Sequence, residues 1–384
     1  MITEKNNQSF IPLSVPNLSG NELKYVTDAI KQNWVSTGGS FITQFENEFA
    51  SYAKATSAVA VQSGTAALHL AMIECGIEQN DLVIAPTLTF VAAINPIRYV
   101  GADPIFMDCD DSQCIDAEKI EKYLTHHCEL REGKVFDKTL NRKIAAILIV
   151  HVFGNMANME HIMDIAAHFN LPVVEDATEA VGTFYTAGRY ADKMAGTIGD
   201  CGAYSFNGNK IITTGGGGML VFKDEQKTSH ARYLSTQAKD DDLYFIHNEI
   251  GYNYRMTNLQ AAVGVAQLEQ LEQFIEIKKE NYNNYNAHGL QLLPFYDKIR
   301  PNYWFYSFKS SNRDGLIKHL SKHNIQARPI WKLIHSLPMY ENANAFEVEK
   351  AKQYYSRIVN LPCSTNLKSC DIDYIAKTAH SFEV

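Results

Sequence analysis

No run of apolar residues in this chain of 384 approaches the roughly 20 needed to cross a bilayer. The first ten residues, MITEKNNQSF, lack the apolar core of a signal peptide, so a cytoplasmic protein is expected. There is no basic excess: the formal net charge is -8, which argues against nucleic acid or an anionic membrane as partner. Seven scattered cysteines do not make a disulfide framework. Cys109, Cys114, His126, His127 and Cys128 lack the paired C-x-x-C spacing of a structural zinc site, so no metal is expected. The chain also lacks internal repeats, low-complexity segments and a Gly-Lys-Ser/Thr phosphate loop.

What is present is an alternation. Short apolar runs at Ala58–Val61, Leu82–Ala85, Pro104–Met107, Ile144–Val152, Pro172–Glu175 and Met219–Phe222 read as buried strands. Helical spacing separates them over Phe41–Tyr52, Leu68–Cys75, Phe90–Val100 and Asn158–Phe169. Ser19-Gly-Asn-Glu22 predicts a capping box for a first helix carrying Leu23, Val26 and Ile30. The charged stretch Glu129–Arg142 reads as a polar surface excursion. This pattern predicts an α/β fold with a mostly parallel sheet covered on both faces. After Arg255 the character changes. A long helix from Thr257 or Asn258, a strand at Tyr303–Lys309 and a helix at Gly315–His323 predict a smaller C-terminal α+β domain. The expected division is residues 1–252 and 253–384.

In parallel sheets ligands bind beyond the carboxyl ends of the strands. The chemistry-bearing residues fall there. Ser63-Gly64-Thr65 sits at a strand-to-helix turn, where free N–H groups suit either an N-cap or a phosphate. Asp176 ends a buried strand, which leaves it either capping the next turn or pairing with a cationic ring nitrogen. Lys210 lies between Ser205-Phe-Asn-Gly-Asn and the tetraglycine Gly215–Gly218. The glycines are expected to turn the chain beneath a cofactor and leave room for substrate. A lysine, a carboxylate and a phosphate cradle are what pyridoxal phosphate requires.

Ser63-Gly-Thr-Ala-Ala-Leu68, Pro86-Thr-Leu-Thr-Phe90, Glu175-Asp-Ala177, Ser205-Phe-Asn-Gly-Asn-Lys210 and Gly251-Tyr-Asn-Tyr-Arg-Met-Thr-Asn258 resemble, in order, motifs of the DegT/DnrJ/EryC1/StrS sugar aminotransferases. The resemblance implies the pyridoxal-phosphate transferase fold type I and a homodimer with shared active sites. It makes Lys210 the catalytic lysine that holds pyridoxal 5′-phosphate, and Asp176 the partner of its ring nitrogen. Gly64, Thr65 and Ser205 become phosphate contacts, with Asn207 in the same motif as Ser205. Phe90 becomes the ring that stacks on the cofactor. Asn253 is expected to reach the neighbouring subunit's phosphate. Glu179 stands where the family often has glutamine, near the cofactor's O3′. His151, at a strand end, has an open role between substrate contact and structural histidine. Arg328 and His335 resemble segments closing over a nucleotide-sugar and are candidate diphosphate contacts.

The implied reaction moves an amino group from glutamate to C4 of a nucleotide-linked 4-keto-6-deoxy-N-acetylhexosamine. A UDP-sugar is the first expectation, as in the transaminases of bacillosamine and legionaminic acid pathways that serve surface glycans such as lipopolysaccharide. A GDP-sugar is the alternative. Two rival classes are a dehydratase on the same fold, whose branches replace the lysine by histidine, and a non-catalytic regulator.

Overall fold

The computed structural model describes residues 9–241 and 243–383. Its centre is a ten-stranded sheet. From one edge the order is Val59–Val61, Gly218–Phe222, Cys201–Ser205, Val173–Asp176, Lys143–Val150, Leu82–Pro86, Asp103–Met107 and Ala345–Phe346. The strands run parallel from Cys201–Ser205 to Ala345–Phe346 and antiparallel at the other edge. Most strand residues are buried on both faces, which explains why they read as continuous apolar runs and not as alternations. This is an α/β architecture with a mostly parallel central sheet, as the sequence predicts.

Register aligns the carboxyl ends. Val150 is level with Asp176, Asp176 with Ala203, and Ser205 with Gly218. Asp176, Ser205 and the turn after Val61 therefore end at one edge of the sheet. Ser63 caps the Gly64–Glu74 helix there, its Oγ accepting from the Ala66 N–H at 3.0 Å.

The tetraglycine has a different purpose from the one expected. It does not line the cavity described below. A Cβ on Gly218 would lie 2.5 Å from the carbonyl of Ser63 and 2.8 Å from the nitrogen of Gly64. The glycine is needed so that the edge strand can lie against the Ser63–Gly64 turn.

Three local expectations change. The first helix starts at Glu22 with Asn21 as its unassisted cap, because Glu22 Oε2 accepts from the Gly20 N–H and leaves Ser19 outside. Its Leu23 and Ile30 are exposed. The polar excursion contains a hairpin, Cys128–Arg131 against Lys134–Asp137, with Val135 buried and Arg131 paired to Glu129 and Asn141. The long helix is two helices, Asn258–Leu268 and Leu271–Ala287, the first opened by a capping box of Thr257 and Gln260.

A second sheet of three strands, Tyr306–Lys309, Ile358–Leu361 and Arg328–Pro329, lies in the C-terminal part. Two features cross residue 252. The Asn258–Leu268 helix packs on the Glu22–Lys31 and Ser40–Ala53 helices, and Ala345–Phe346 joins the large sheet. No helix among the described residues is long and apolar enough to cross a membrane.

Candidate active site

A cavity of about 830 Å³ opens at the carboxyl edge of the large sheet. That is within the range of cavities that hold small ligands. Gly64, Thr65, Phe90, Asp176, Glu179, Ser205, Asn207, Lys210 and Arg328 all line it. The three-stranded sheet supplies the outer wall through Arg328, Pro329 and Asn360, with Gln326 and Trp331 beside them.

Lys210 is at the centre electrostatically. Its Nζ lies 3.8 Å from Glu179 Oε1 and 4.2 Å from the centroid of the Trp304 ring. Burial pulls its pKa below that of an ordinary lysine, while Glu179 and Asp176 pull it back up. Glu179 is likewise held away from water, and burial pushes its pKa up to about 7. Its other oxygen accepts from the Phe153 N–H at 2.8 Å. Phe153 adopts a left-handed backbone, φ 56°, a conformation that surrounding contacts must enforce. Asp176 is buried, and burial raises its pKa as well. Its Oδ1 accepts from the Thr178 N–H at 3.0 Å, so it does cap the following turn. One oxygen is thus engaged by a backbone donor, and the carboxylate still borders the cavity.

At the helix start, the N–H groups of Gly64 and Thr65 have no partner inside the helix. A Cβ on Gly64 would lie 2.8 Å from Ser205 Cβ and 3.0 Å from Thr178 Cγ2, so a side chain would fill this cradle. Thr89 Oγ1 is buried on the cavity wall without a hydrogen-bond partner. A buried hydroxyl in that condition points to a polar occupant. An anion cradle, a buried amine and a buried carboxylate around one cavity fit pyridoxal phosphate.

Three predicted residues lie elsewhere. His151 is fully buried behind the site, its Nδ1 accepting from the Ala157 N–H at 3.2 Å and its Nε2 paired with Glu175 at 2.8 Å. It does not line the cavity, and both of its ring nitrogens are engaged within the chain. His335 meets Thr87 Oγ1 at 2.6 Å, two residues from Thr89, and also stays off the wall. Asn253 is exposed and accepts from Gln237 Nε2 at 3.0 Å within its own chain. The sequence gives no sign of Trp304, whereas Gln326 and Trp331 flank Arg328 and Phe153 lies two residues after His151, without polar chemistry of their own to mark them as wall residues.

The sequence pattern of the DegT/DnrJ/EryC1/StrS aminotransferase family matches residues 16–380. The chain is 36% identical over 381 residues to GDP-perosamine synthase of Escherichia coli O157:H7, with 97% of this chain and 98% of that one covered. A UDP-4-amino-4,6-dideoxy-N-acetyl-beta-L-altrosamine transaminase of Campylobacter jejuni is 26% identical over 399 residues, with 97% of each covered. Among solved structures, a DegT DnrJ EryC1 StrS aminotransferase from Brucella abortus superposes with a TM-score of 0.85 at 25% identity, covering 94% of this chain and 95% of that one.

Proposed function

The chain belongs to the DegT/DnrJ/EryC1/StrS aminotransferase family, and from that premise we propose that it aminates C4 of a nucleotide-linked 4-keto-6-deoxy sugar with glutamate as donor. It is a sugar aminotransferase of pyridoxal-phosphate fold type I, and its cofactor is pyridoxal 5′-phosphate. What carries the reading is the meeting of Lys210, Asp176 and the Gly64 helix start around one cavity.

When bound, the cofactor supplies an electrophilic carbon and a ring that draws off an electron pair. The protein supplies the rest. Lys210 Nζ would hold the cofactor and, as a free amine, would take the proton that leaves the amino-bearing carbon. A lysine with a lowered pKa spends more time as the free amine that this step needs. Asp176 would keep a proton on the ring nitrogen by pairing with it, Gly64, Thr65 and Ser205 would hold the phosphate, and Phe90 would lie against the ring. Arg328, on the outer wall, meets the diphosphate of the substrate.

The sugar nucleotide is read from the relatives. The synthase at 36% identity bears a GDP-sugar name, whereas the UDP-named transaminase stands at 26%. This favours a GDP-linked hexose over the UDP-linked N-acetylhexosamine that the motifs suggest, and keeps the latter as the second reading. The test is product analysis with glutamate and either GDP- or UDP-linked 4-keto-6-deoxy sugar. The GDP-sugar should be converted to a 4-amino sugar with one 2-oxoglutarate per turnover, at a kcat/KM at least about tenfold above the UDP-sugar, the order that mismatched site contacts impose. Water loss without glutamate consumption would establish the dehydratase instead.

We further propose that two chains build each site, with Asn253 reaching the partner's phosphate cradle. The exposure of Asn253 away from its own cavity supports this. Asn253→Asp places a like charge against that phosphate, and Lys210→Ala removes the amine. Mixed dimers of the two variants hold one site free of both lesions, so activity should rise on subunit exchange. Activity that stays at the sum of the separate variants, with exchange confirmed, refutes the shared site.

A further inference from the structure

We propose that Trp304 is a positioning residue for the catalytic lysine: its indole face, together with the Glu179 carboxylate, forms a fixed seat for the Lys210 amine whenever that amine is not bonded to cofactor. The inference rests on Lys210 being the cofactor lysine.

The seat is built, not incidental. Lys210 Nζ lies over the Trp304 ring at 4.2 Å from its centroid, inside the distance at which an ammonium is attracted to an indole face. The indole Nε1–H donates to the carbonyl of Asn209 at 2.7 Å, so the ring is tied to the residue next to the lysine it receives. The other wall is Glu179, 3.8 Å from Nζ. One buried side chain locks the two walls together. Asn302 Nδ2 donates to the carbonyls of Glu179 and Val181, both at 2.9 Å, while its Oδ1 accepts from the Trp304 N–H at 3.0 Å. Gly154 makes room for that amide, since a Cβ there would lie 1.9 Å from Asn302 Oδ1. From behind, the buried Lys278 donates to the Trp304 carbonyl at 3.2 Å, and Phe153 packs on the ring with centroids 6.1 Å apart. The carboxylates acting on Lys210 are Glu179 and Asp176.

The chemistry needs such a seat. A displaced lysine has a long, flexible stem, and each freed rotamer lowers the fraction of time its nitrogen is in reach of the proton. Glu179 alone would fix a charge but not a direction. The indole face does so without a hydrogen bond, so the amine leaves it without a donor or acceptor being stranded. A stronger second carboxylate in that place would hold the lysine permanently charged.

The test is a double-mutant cycle on the full-length, cofactor-free protein, using urea unfolding of wild type, Lys210→Met, Trp304→Leu and the pair. A buried ammonium–indole contact predicts coupling of about tenfold to thirtyfold in the unfolding equilibrium at pH 6. Only the cation is attracted, so the coupling should fade by pH 10. Trp304→Phe keeps a ring and should retain part of it. In the loaded enzyme, Trp304→Leu should lower kcat about tenfold with the KM for the sugar nucleotide within about twofold, and Trp304→Phe should recover most of the loss. If Trp304→Leu does not fold, Trp304→Met takes its place in the cycle. Costs that add to within about twofold at pH 6 overturn the proposal, because a merely structural tryptophan gives additivity. A raised KM with unchanged kcat also overturns it, assigning the ring to substrate. An active Lys210→Ala enzyme would instead sink the reading of the site itself, whereas an inactive one with an additive cycle sinks only the seat.

Discussion

Lys210→Ala should fold, bind pyridoxal phosphate and transaminate at least about 10⁴-fold more slowly than the wild type. Moving the proton off the amino-bearing carbon is general base work, worth up to about 10⁴-fold by itself. Among the described residues that line the cavity, the other candidates to replace the amine are poor. Glu179 is a far weaker base, and Lys332 is exposed on the outer wall. Stability of the cofactor-free protein should not fall with turnover, since a buried amine with a lowered pKa gains nothing from burial. The sign follows from linkage. A lysine whose folded pKa lies below its unfolded one costs stability at low pH, and stability rises as pH climbs through the window between them. Lys210→Ala should flatten that contribution. Single-turnover rates and a pH series of urea midpoints check both parts. Turnover within tenfold of wild type would remove Lys210 from the chemistry.

Asp176→Asn is expected to cost about 10³-fold in kcat, roughly 4 kcal/mol, with cofactor binding largely kept. Removing one preorganised electrostatic partner has effects of this order. The substitution is close to isosteric. An amide oxygen still accepts from the Thr178 N–H, so the turn after the strand survives. What is lost is the charge that holds a proton on the ring nitrogen. Burial has already made that charge costly, which raises the Asp176 pKa even against the pull of Lys210. A bound cation at the ring nitrogen would reverse the direction. Steady-state kinetics at saturating cofactor measure the loss, and near-normal kcat would end the assignment.

The sheet and its carboxyl edge were legible because buried parallel strands leave apolar runs, and because chemistry in such folds gathers where those strands end. Ser63–Thr65, Asp176 and Lys210 could be placed together on that rule alone. Trp304 could not. In Tyr303-Trp-Phe-Tyr-Ser-Phe-Lys309 it reads as one more apolar residue, and only Asn302 and Asn209 bring it over the lysine. The break between Leu268 and Leu271 was hidden for a related reason: the apolar spacing runs across it, and neither Gly nor Pro marks it. His151 showed the reverse problem. A histidine at a strand end beside the site looked available, yet Glu175 and the Ala157 N–H occupy both of its nitrogens. The tetraglycine announced a turn correctly but not what the turn must clear, since Gly218 meets the backbone of Ser63 and Gly64, far away in the chain.

The most direct measurement is borohydride reduction of the protein loaded with pyridoxal phosphate, followed by proteolysis and mass analysis. The cofactor should be fixed on the peptide containing Lys210, and Lys210→Ala should fix none. Cofactor fixed on any other lysine, or undiminished fixation in Lys210→Ala, would contradict the assignment of Lys210.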